Sequence, residues 1–442
     1  MTADDLQEPR TRRTDVEYIR RLVDDELALA LGAVGAVLIE GPKAVGKTST
    51  ALQHARTVVR LDDDDDPLVI DALESDPGRL LKGESPVLLD EWQSVASIWN
   101  RVRREVDARG GRPGQFILTG SATPDDDTRR HSGAGRFWVL QMRTLSLFES
   151  GHSSGEVSLA DLFEGKVPDG FDARWSEPTA RAEIAERIVV GGWPANHGLD
   201  VEAARRNNVQ YLNAIREYDL RRGDGSRRDP DVAARVVRSI ARNIAVPATQ
   251  ATLARDTVPG SGDAGVDATS RDALRDHLAA LARLRIVEDQ PAWRPALRSS
   301  HRLRQTPKRH FVDPCLAAAA LGAAPGRLVS DPMTLGLWFE SLAVRDVRVY
   351  CQAAGAQVLY YRDDKELEVD IVVEMPDGRW GAFEVKLGST TRAVDTAAKN
   401  LVLLRDRVGA DRCAFLGVIT GGARAFRRAD GIDVVPLRML GP

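Results

Sequence analysis

The chain has 442 residues, enough for two or three domains, and its 43% hydrophobic and 29% charged content exclude a disordered polymer. A formal net charge of −4 gives no support to global attraction to nucleic acid, so any such affinity must lie in local patches. Cys315, Cys351 and Cys413 are scattered, with no metal-ligand spacing and no disulfide framework, and neither a signal peptide nor a membrane-length apolar run is visible. A cytoplasmic protein with no membrane partner is expected.

In chain order, residues 14–31 show helical apolar spacing and lead into a strand at Ala36–Glu40. β-like runs follow in TVVRLD, PVLLDE, QFILTGS and RFWVLQM, separated in several places by helical segments. Such alternation is that of a mostly parallel sheet. The acidic run Asp62–Asp66 reads as a solvated loop. From about Ala180 to Leu284 the pattern is helical, interrupted by the Gly-rich VPGSGDAGVDATS, and a helix followed by IVED suits a winged helix-turn-helix. Beyond Pro307 the chain is mixed α/β again: the helix MTLGLWFESLAVRDVRVY, the strands QVLYYR, LEVDIVVE and WGAFEVK, another helix, and the strand AFLGVIT.

GPKAVGKTST follows the first strand and matches GxxxxGK[ST] through Gly41, Gly46, Lys47 and Thr48. Glycines let the backbone N–H groups of residues Gly41, Pro42, Lys43, Ala44, Val45, Gly46, Lys47, Thr48 and Ser49 (Pro42 excepted, having none) curl around phosphate oxygens. Lys47 then reaches the β- and γ-phosphates, Thr48 completes a magnesium shell, and the next helix presents its positive end. ATP and Mg2+ are the ligands expected. In PVLLDEWQ, Asp90 is a second magnesium ligand and Glu91 the residue that polarises attacking water. QFILTGSAT brings Thr119 and Ser121 to the same sheet edge as candidate γ-phosphate sensors, and Arg136 is a candidate for stabilising transition-state charge, within the chain or across an interface.

With GPKAVGKTST, LLDEWQ, FILTGSA and GAGR, and with the later GGWPA, RHFVDPCLAAAALG, YYRDDKELEVDIVVE and FEVKLG, the sequence resembles bacterial ATP-binding proteins that join an AAA-type ATPase domain to a C-terminal domain of uncharacterised function. The resemblance spans nearly the whole chain. It departs at Lys43, where members often carry arginine. It implies an α/β P-loop NTPase core of AAA type, a helical and winged-helix-like middle, and an α/β end similar to restriction-endonuclease-like nucleases. The boundaries expected are 1–17 for a flexible N-terminus, 18–195 for the ATPase domain, 196–300 for the middle and 301–442 for the nuclease-like domain.

A second constellation comprises Glu340, Asp370, Glu384 and Lys386. LEVDIVVE and WGAFEVK flank a turn-rich MPDGR and read as a hairpin. A turn centred on Asp377 sets Asp370 opposite Glu384 and puts Lys386 on the same face. Facing carboxylates repel unless a cation separates them. Asp370 and Glu384 are therefore candidate magnesium ligands, with Glu340 completing the shell and Lys386 orienting water. D…ExK is also the signature of the endonuclease-like fold, while a solvated hairpin face is the plainer alternative.

Residues 291–311 are basic without an acidic residue, which suits either phosphate contact or an interdomain connection paired with distant acids. Trp293 and His277 read as structural, and GGWPA as a turn. Three functions stay open at this point: an ATPase controlling a module directed at DNA or RNA, a phosphoryl or pyrophosphoryl transferase acting on a nucleic acid such as tRNA, and a nucleotide-gated, non-enzymatic DNA-binding regulator. An oligomer is compatible with each.

Overall fold

The computed structural model describes residues 18–63, 65–95, 97–120, 133–166, 172–174, 181–220, 228–258, 269–294 and 305–442, with the side chains of 68 and 172–174 left aside. The expected flexible segment 1–17, residue Ser121, nearly all of the Gly-rich interruption and much of the basic stretch lie outside these residues.

Helix α1 (Val23–Ala33) leads into β1 (Ala36–Glu40), and α2 (Lys47–Leu52) follows the Gly-rich loop. Next come β2 (Thr57–Arg60), α3 (Pro67–Glu74), β3 (Val87–Asp90), α4 (Ile98–Ala108), β4 (Phe116–Gly120) and β5 (Phe137–Gln141). The five strands form a parallel sheet in the order β2-β3-β4-β1-β5. Strand β1 is interior, paired with β4 on one side and β5 on the other, and its Ala36, Val37, Leu38 and Ile39 are buried as a continuous apolar run. One cover is α4, whose Ile98, Trp99, Val102 and Val106 recur at helical spacing and pack inward. Trp99 stacks on Phe137 of β5 with ring centroids 4.0 Å apart.

A short β6 (Val157–Ser158), α5 (Leu159–Phe163) and β7 (Asp172–Arg174) then leave this sheet. β6 pairs in parallel with β16 (Leu440–Gly441), and β7 forms an edge of the C-terminal sheet. Residues 18–195 therefore contribute strands to two distant sheets, a long-range pairing that local patterning does not encode.

The middle consists of α6 (Arg181–Val190), α7 (Val201–Ala214), α8 (Pro230–Arg242), α9 (Gln250–Arg255) and α10 (Arg271–Arg283), the last four N-capped by the side chains of Asp200, Asp229, Thr249 and Ser270. Strand β8 (Val287–Gln290) pairs antiparallel with β9 (Lys308–Phe311), so the hairpin crosses the boundary expected at residue 300.

The C-terminal region runs α11 (Cys315–Leu321), α12 (Pro325–Val329), α13 (Pro332–Cys351), β10 (Gln357–Arg362), β11 (Glu368–Glu374), β12 (Trp380–Lys386), α14 (Thr391–Val408), β13 (Cys413–Thr420), β14 (Arg424–Arg427) and β15 (Asp433–Pro436). Its seven-stranded sheet has the order β10-β11-β12-β13-β15-β14-β7. The β11–β12 register pairs Ile371 with Phe383 and Val372 with Ala382, as the turn-centred reading expects. Trp293 is buried against Trp380 and Tyr361, and its indole donates to Glu374, which makes it a core residue. His277 is likewise buried, held by the Ala273 carbonyl.

Candidate nucleotide site and C-terminal acidic cluster

The Gly-rich loop leaves the carboxyl end of β1 and turns sharply through Ala44 and Gly46, whose φ angles are 59° and 101°. Both lie in the left-handed region, at a steric cost for alanine, and such alternation makes a concave row of N–H groups. Gly41 admits no side chain: a Cβ there would lie 2.4 Å from the Met142 carbonyl oxygen. Helix α2 is only 6 residues long, so the loop's own N–H groups, rather than a helix dipole, provide the anion-binding geometry.

Lys47 is buried, and its Nζ donates to the carbonyls of Gly41 at 3.0 Å and Pro42 at 2.8 Å. Burial pushes its ammonium down to about 8, against the pull of the nearby Glu91 and Asp90 carboxylates. Thr48 Oγ1 donates to Asp90 Oδ1 at 2.8 Å, and the Thr119 hydroxyl bonds to the same oxygen. Asp90 ends β3, Thr119 lies near the end of β4, and these strands are neighbours. The Thr119 hydroxyl thus braces Asp90 from the neighbouring strand. Glu91 follows with φ 50°, a conformation that a non-glycine side chain adopts at a cost of about 1–2 kcal/mol. Its carboxylate accepts from Gln93 Nε2. Such strain beside a buried lysine and aspartate marks a constrained strand end.

Arg136 is not brought to this group. Its carbonyl accepts from Ala36 N at the amino end of β1, about 13 Å along the strand from the loop, and its guanidinium pairs with Asp107 of α4 at 2.9 Å. Lys43 turns outward to pair with Asp219 beyond α7, and Tyr211 donates to its carbonyl, so the loop is tied to the helical middle. Two residues that patterning passed over brace the loop from the other side. Arg21 donates to the Val45 carbonyl at 3.1 Å and to the Arg143 carbonyl at 2.7 Å, and Tyr18 reaches Thr50 at 2.9 Å. GGWPA does more than turn: a Cβ on Gly192 would lie 2.1 Å from the Leu145 oxygen, so close backbone packing requires its glycine.

In the C-terminal module, Asp370, Glu384, Lys386 and Glu340 do converge. Lys386 Nζ lies 2.5 Å from Glu384 and 3.7 Å from Asp370. The ammonium of Lys308 from β9, absorbed into the basic stretch by the sequence reading, enters the same group. It lies 2.7 Å from Glu340 Oε1, 2.7 Å from Glu368 Oε1 and 3.5 Å from Asp370 Oδ1. Burial, then the Asp370 charge, pushes Glu340 up to about 8 and Glu384 up to about 7. Burial also opposes ionisation of Asp370, yet the Lys308 and Lys386 charges hold its carboxyl below the ordinary aspartate value.

The donor sets give different answers about divalent ions. At the loop, Thr48 and Asp90 present adjacent oxygens beside an anion-binding backbone, and they fit Mg2+ held jointly with phosphates. In the C-terminal cluster the carboxylates are already engaged by protein donors: Asp370 Oδ2 accepts from Val385 N, Glu384 Oε1 from Asn400, and Glu340 Oε1 from Lys308. Among the described residues, no group of three or more His, Cys, Asp or Glu is disposed to hold a metal ion.

A parallel sheet with a phosphate-type loop after its interior strand β1, and an acid at the end of β3 bonded to that loop's threonine, defines an AAA-type P-loop domain. Comparison agrees: residues 34–150 match the AAA domain family, residues 181–327 a domain of unknown function (DUF8612), and residues 335–440 a domain of unknown function (DUF4143). No curated protein sequence matches the chain. Among solved structures, a Walker-type ATPase of Pyrococcus abyssi is 14% identical with a TM-score of 0.40, covering 72% of this chain and 99% of that one. The Aeropyrum pernix ORC2 protein, in ADPNP and ADP complexes, is 15% identical with a TM-score of 0.28, covering 60% and 84%. A Thermotoga maritima RuvB mutant is 15% identical with a TM-score of 0.24, covering 60% and 89%. No described helix is long and apolar enough to cross a membrane.

Proposed function

We propose that the AAA-type domain binds ATP with Mg2+ in the Gly41–Ser49 loop, hydrolyses it, and passes its nucleotide state to a C-terminal module that contacts nucleic acid. The observation that carries this reading is the Thr48–Asp90 hydrogen bond at 2.8 Å beside the buried Lys47. Backbone N–H groups and Lys47 hold the phosphates, Thr48 and Asp90 hold the metal, Thr119 keeps Asp90 aimed, and Glu91 polarises the attacking water. When bound, Mg2+ neutralises charge on the β- and γ-phosphate oxygens. Ser121 is assigned beside Thr119 from the sequence alone. Arg136 has no role within its own chain in this scheme.

Two sets of contacts support transmission. Arg285 pairs with Glu40, the residue before the loop, while Gln141 and Arg143 bind Glu288 of β8. Arg345 of α13 pairs with Asp313 and Asp346, Asp313 accepts from Thr144 and Gly192 N, and the same helix carries Glu340. Movement of the β5 end therefore bears on both β8 and α13.

The nucleic-acid assignment rests on a winged-helix reading of α8–α10 with the β8–β9 hairpin, and on a cleft of about 800 Å³ at the junction of the three regions. Arg143, Arg275, Arg285, Arg309 and Arg348 line this cleft together with Glu26, Glu288 and Asp289, and Arg143 and Arg348 pair with Glu288 and Arg309 with Asp289. The Asp370–Glu384–Lys386 placement on paired strands supports kinship of the module with restriction-endonuclease-like folds. The test uses γ-labelled ATP with single- and double-stranded DNA and with RNA. Label released as free phosphate, and nucleic-acid retention that changes between ATP and ADP, are expected. Label attached to RNA instead would establish group transfer, and retention of no nucleic acid in either state would remove that partner.

A further inference from the structure

We infer that the ammonium of Lys308 is the resident cation of the C-terminal acidic cluster, occupying the place that a divalent metal takes in a hydrolytic site. The inference is independent of the ATP site and bears on what the module can do once nucleic acid is held.

An ammonium has three N–H donors, and three carboxylate oxygens surround this one: Glu340 Oε1 and Glu368 Oε1 at 2.7 Å each, and Asp370 Oδ1 at 3.5 Å. The two short contacts are of ammonium–oxygen length, well beyond the roughly 2.0–2.1 Å of magnesium–oxygen bonds. Lys308 is 1% exposed, and its ammonium also lies 5.5 Å from the centre of the Tyr360 ring. Its strand is fixed: β9 pairs with β8, and His310, two residues on and on the same face, bonds to Ser341 of α13 and to Gln290. Gln290 in turn donates to the carbonyls of Leu359 and Asp370. The lysine is therefore held in the cluster by a buried framework.

A metal bound to Glu340 and Asp370 would sit against this ammonium, and like charges at such separation in a buried setting repel strongly. Lys386 occupies the remaining side, on Glu384 and Asp370. Facing carboxylates need a cation between them, and here the chain supplies it. The cluster in this conformation is accordingly not the centre of a metal-dependent nuclease, which favours nucleotide-gated regulation over cleavage at this site.

The test is Mn2+ binding to the full chain without nucleotide, followed by electron paramagnetic resonance, for wild type, Asp370→Asn, Lys308→Met and the double variant Lys308→Met/Asp370→Asn. Wild type and Asp370→Asn should bind Mn2+ indistinguishably, with no site attributable to the cluster. Lys308→Met should gain one bound Mn2+ per chain, lost again in the double variant, and should be thermally stabilised by Mn2+ where wild type is not. A wild-type site abolished by Asp370→Asn overturns the inference, as does a folded Lys308→Met that gains none. If Lys308→Met does not fold, the wild-type and Asp370→Asn pair decides the question alone.

Discussion

The Arg345 guanidinium and the Asp313 carboxylate meet at 2.8 Å where their side chains are 2% and 0% exposed. Arg345 also grips Asp346 through two hydrogen bonds, so one cation satisfies two buried acids. Removing one partner of such a group leaves an uncompensated buried charge, worth about 3–5 kcal/mol. Arg345→Met should lower the urea unfolding free energy by that amount, and Arg345→Lys should recover only part, because an ammonium lacks the fork that spans both acids. A loss under 1 kcal/mol for Arg345→Met contradicts the pairing.

The depressed Lys47 pKa fixes a sign for pH. Folding lowers it from 10.5 to about 8, so between those values the unfolded chain holds a proton that the folded chain lacks. This group alone makes stability rise with pH through that window, and contributes no slope below it. Bound phosphates favour the charged ammonium, so MgATP binding above pH 8 should take up protons and weaken as pH rises further. Calorimetry in two buffers of different protonation enthalpy measures that uptake. Heats that agree between buffers at pH 8.5 contradict it.

Thr119 supports Asp90 from the neighbouring strand. Outer partners of a metal ligand typically contribute about 10–100-fold to metal affinity. Thr119→Val should therefore raise the Mg2+ concentration for half-maximal ATPase at least 10-fold, with little change in ATP binding. An unchanged Mg2+ requirement with a lower turnover would point to contact with the phosphate instead.

Arg136 is half-exposed, and its partner Asp107 is similarly accessible. Exposed pairs contribute about 1 kcal/mol or less. Arg136→Ala should leave ATPase activity in dilute solution within a few-fold of wild type. A loss of about 10³-fold, the scale of an arginine finger, would establish an interface between chains.

Strand positions were legible because burial leaves an apolar trace. Ala36–Glu40, Gln357–Arg362 and Trp380–Lys386 are found where the pattern puts them, and the register of the last hairpin follows from its turn. The nucleotide loop is legible because its backbone chemistry requires glycines at fixed spacing. Lys308 was not, because its acids lie 32, 60 and 62 residues onward, at Glu340, Glu368 and Asp370. Local absence of acids around residues 291–311 suits either phosphate contact or pairing with distant acids, and Lys308 and Arg309 do pair with acids outside the stretch. Asp313 and Arg345 share that difficulty: a buried ion pair has no periodicity. The edge pairing of β7 was illegible for the same reason, since it depends on a strand some 250 residues away.

The most direct measurement follows phosphate release and MgATP binding in the same samples of wild type and Glu91→Gln. Glu91→Gln should bind MgATP within about 3-fold of wild type while phosphate release falls at least 100-fold, the range attributed to a positioned general base. Equal release by the two proteins, or absence of MgATP binding by wild type, contradicts hydrolysis at this strand end.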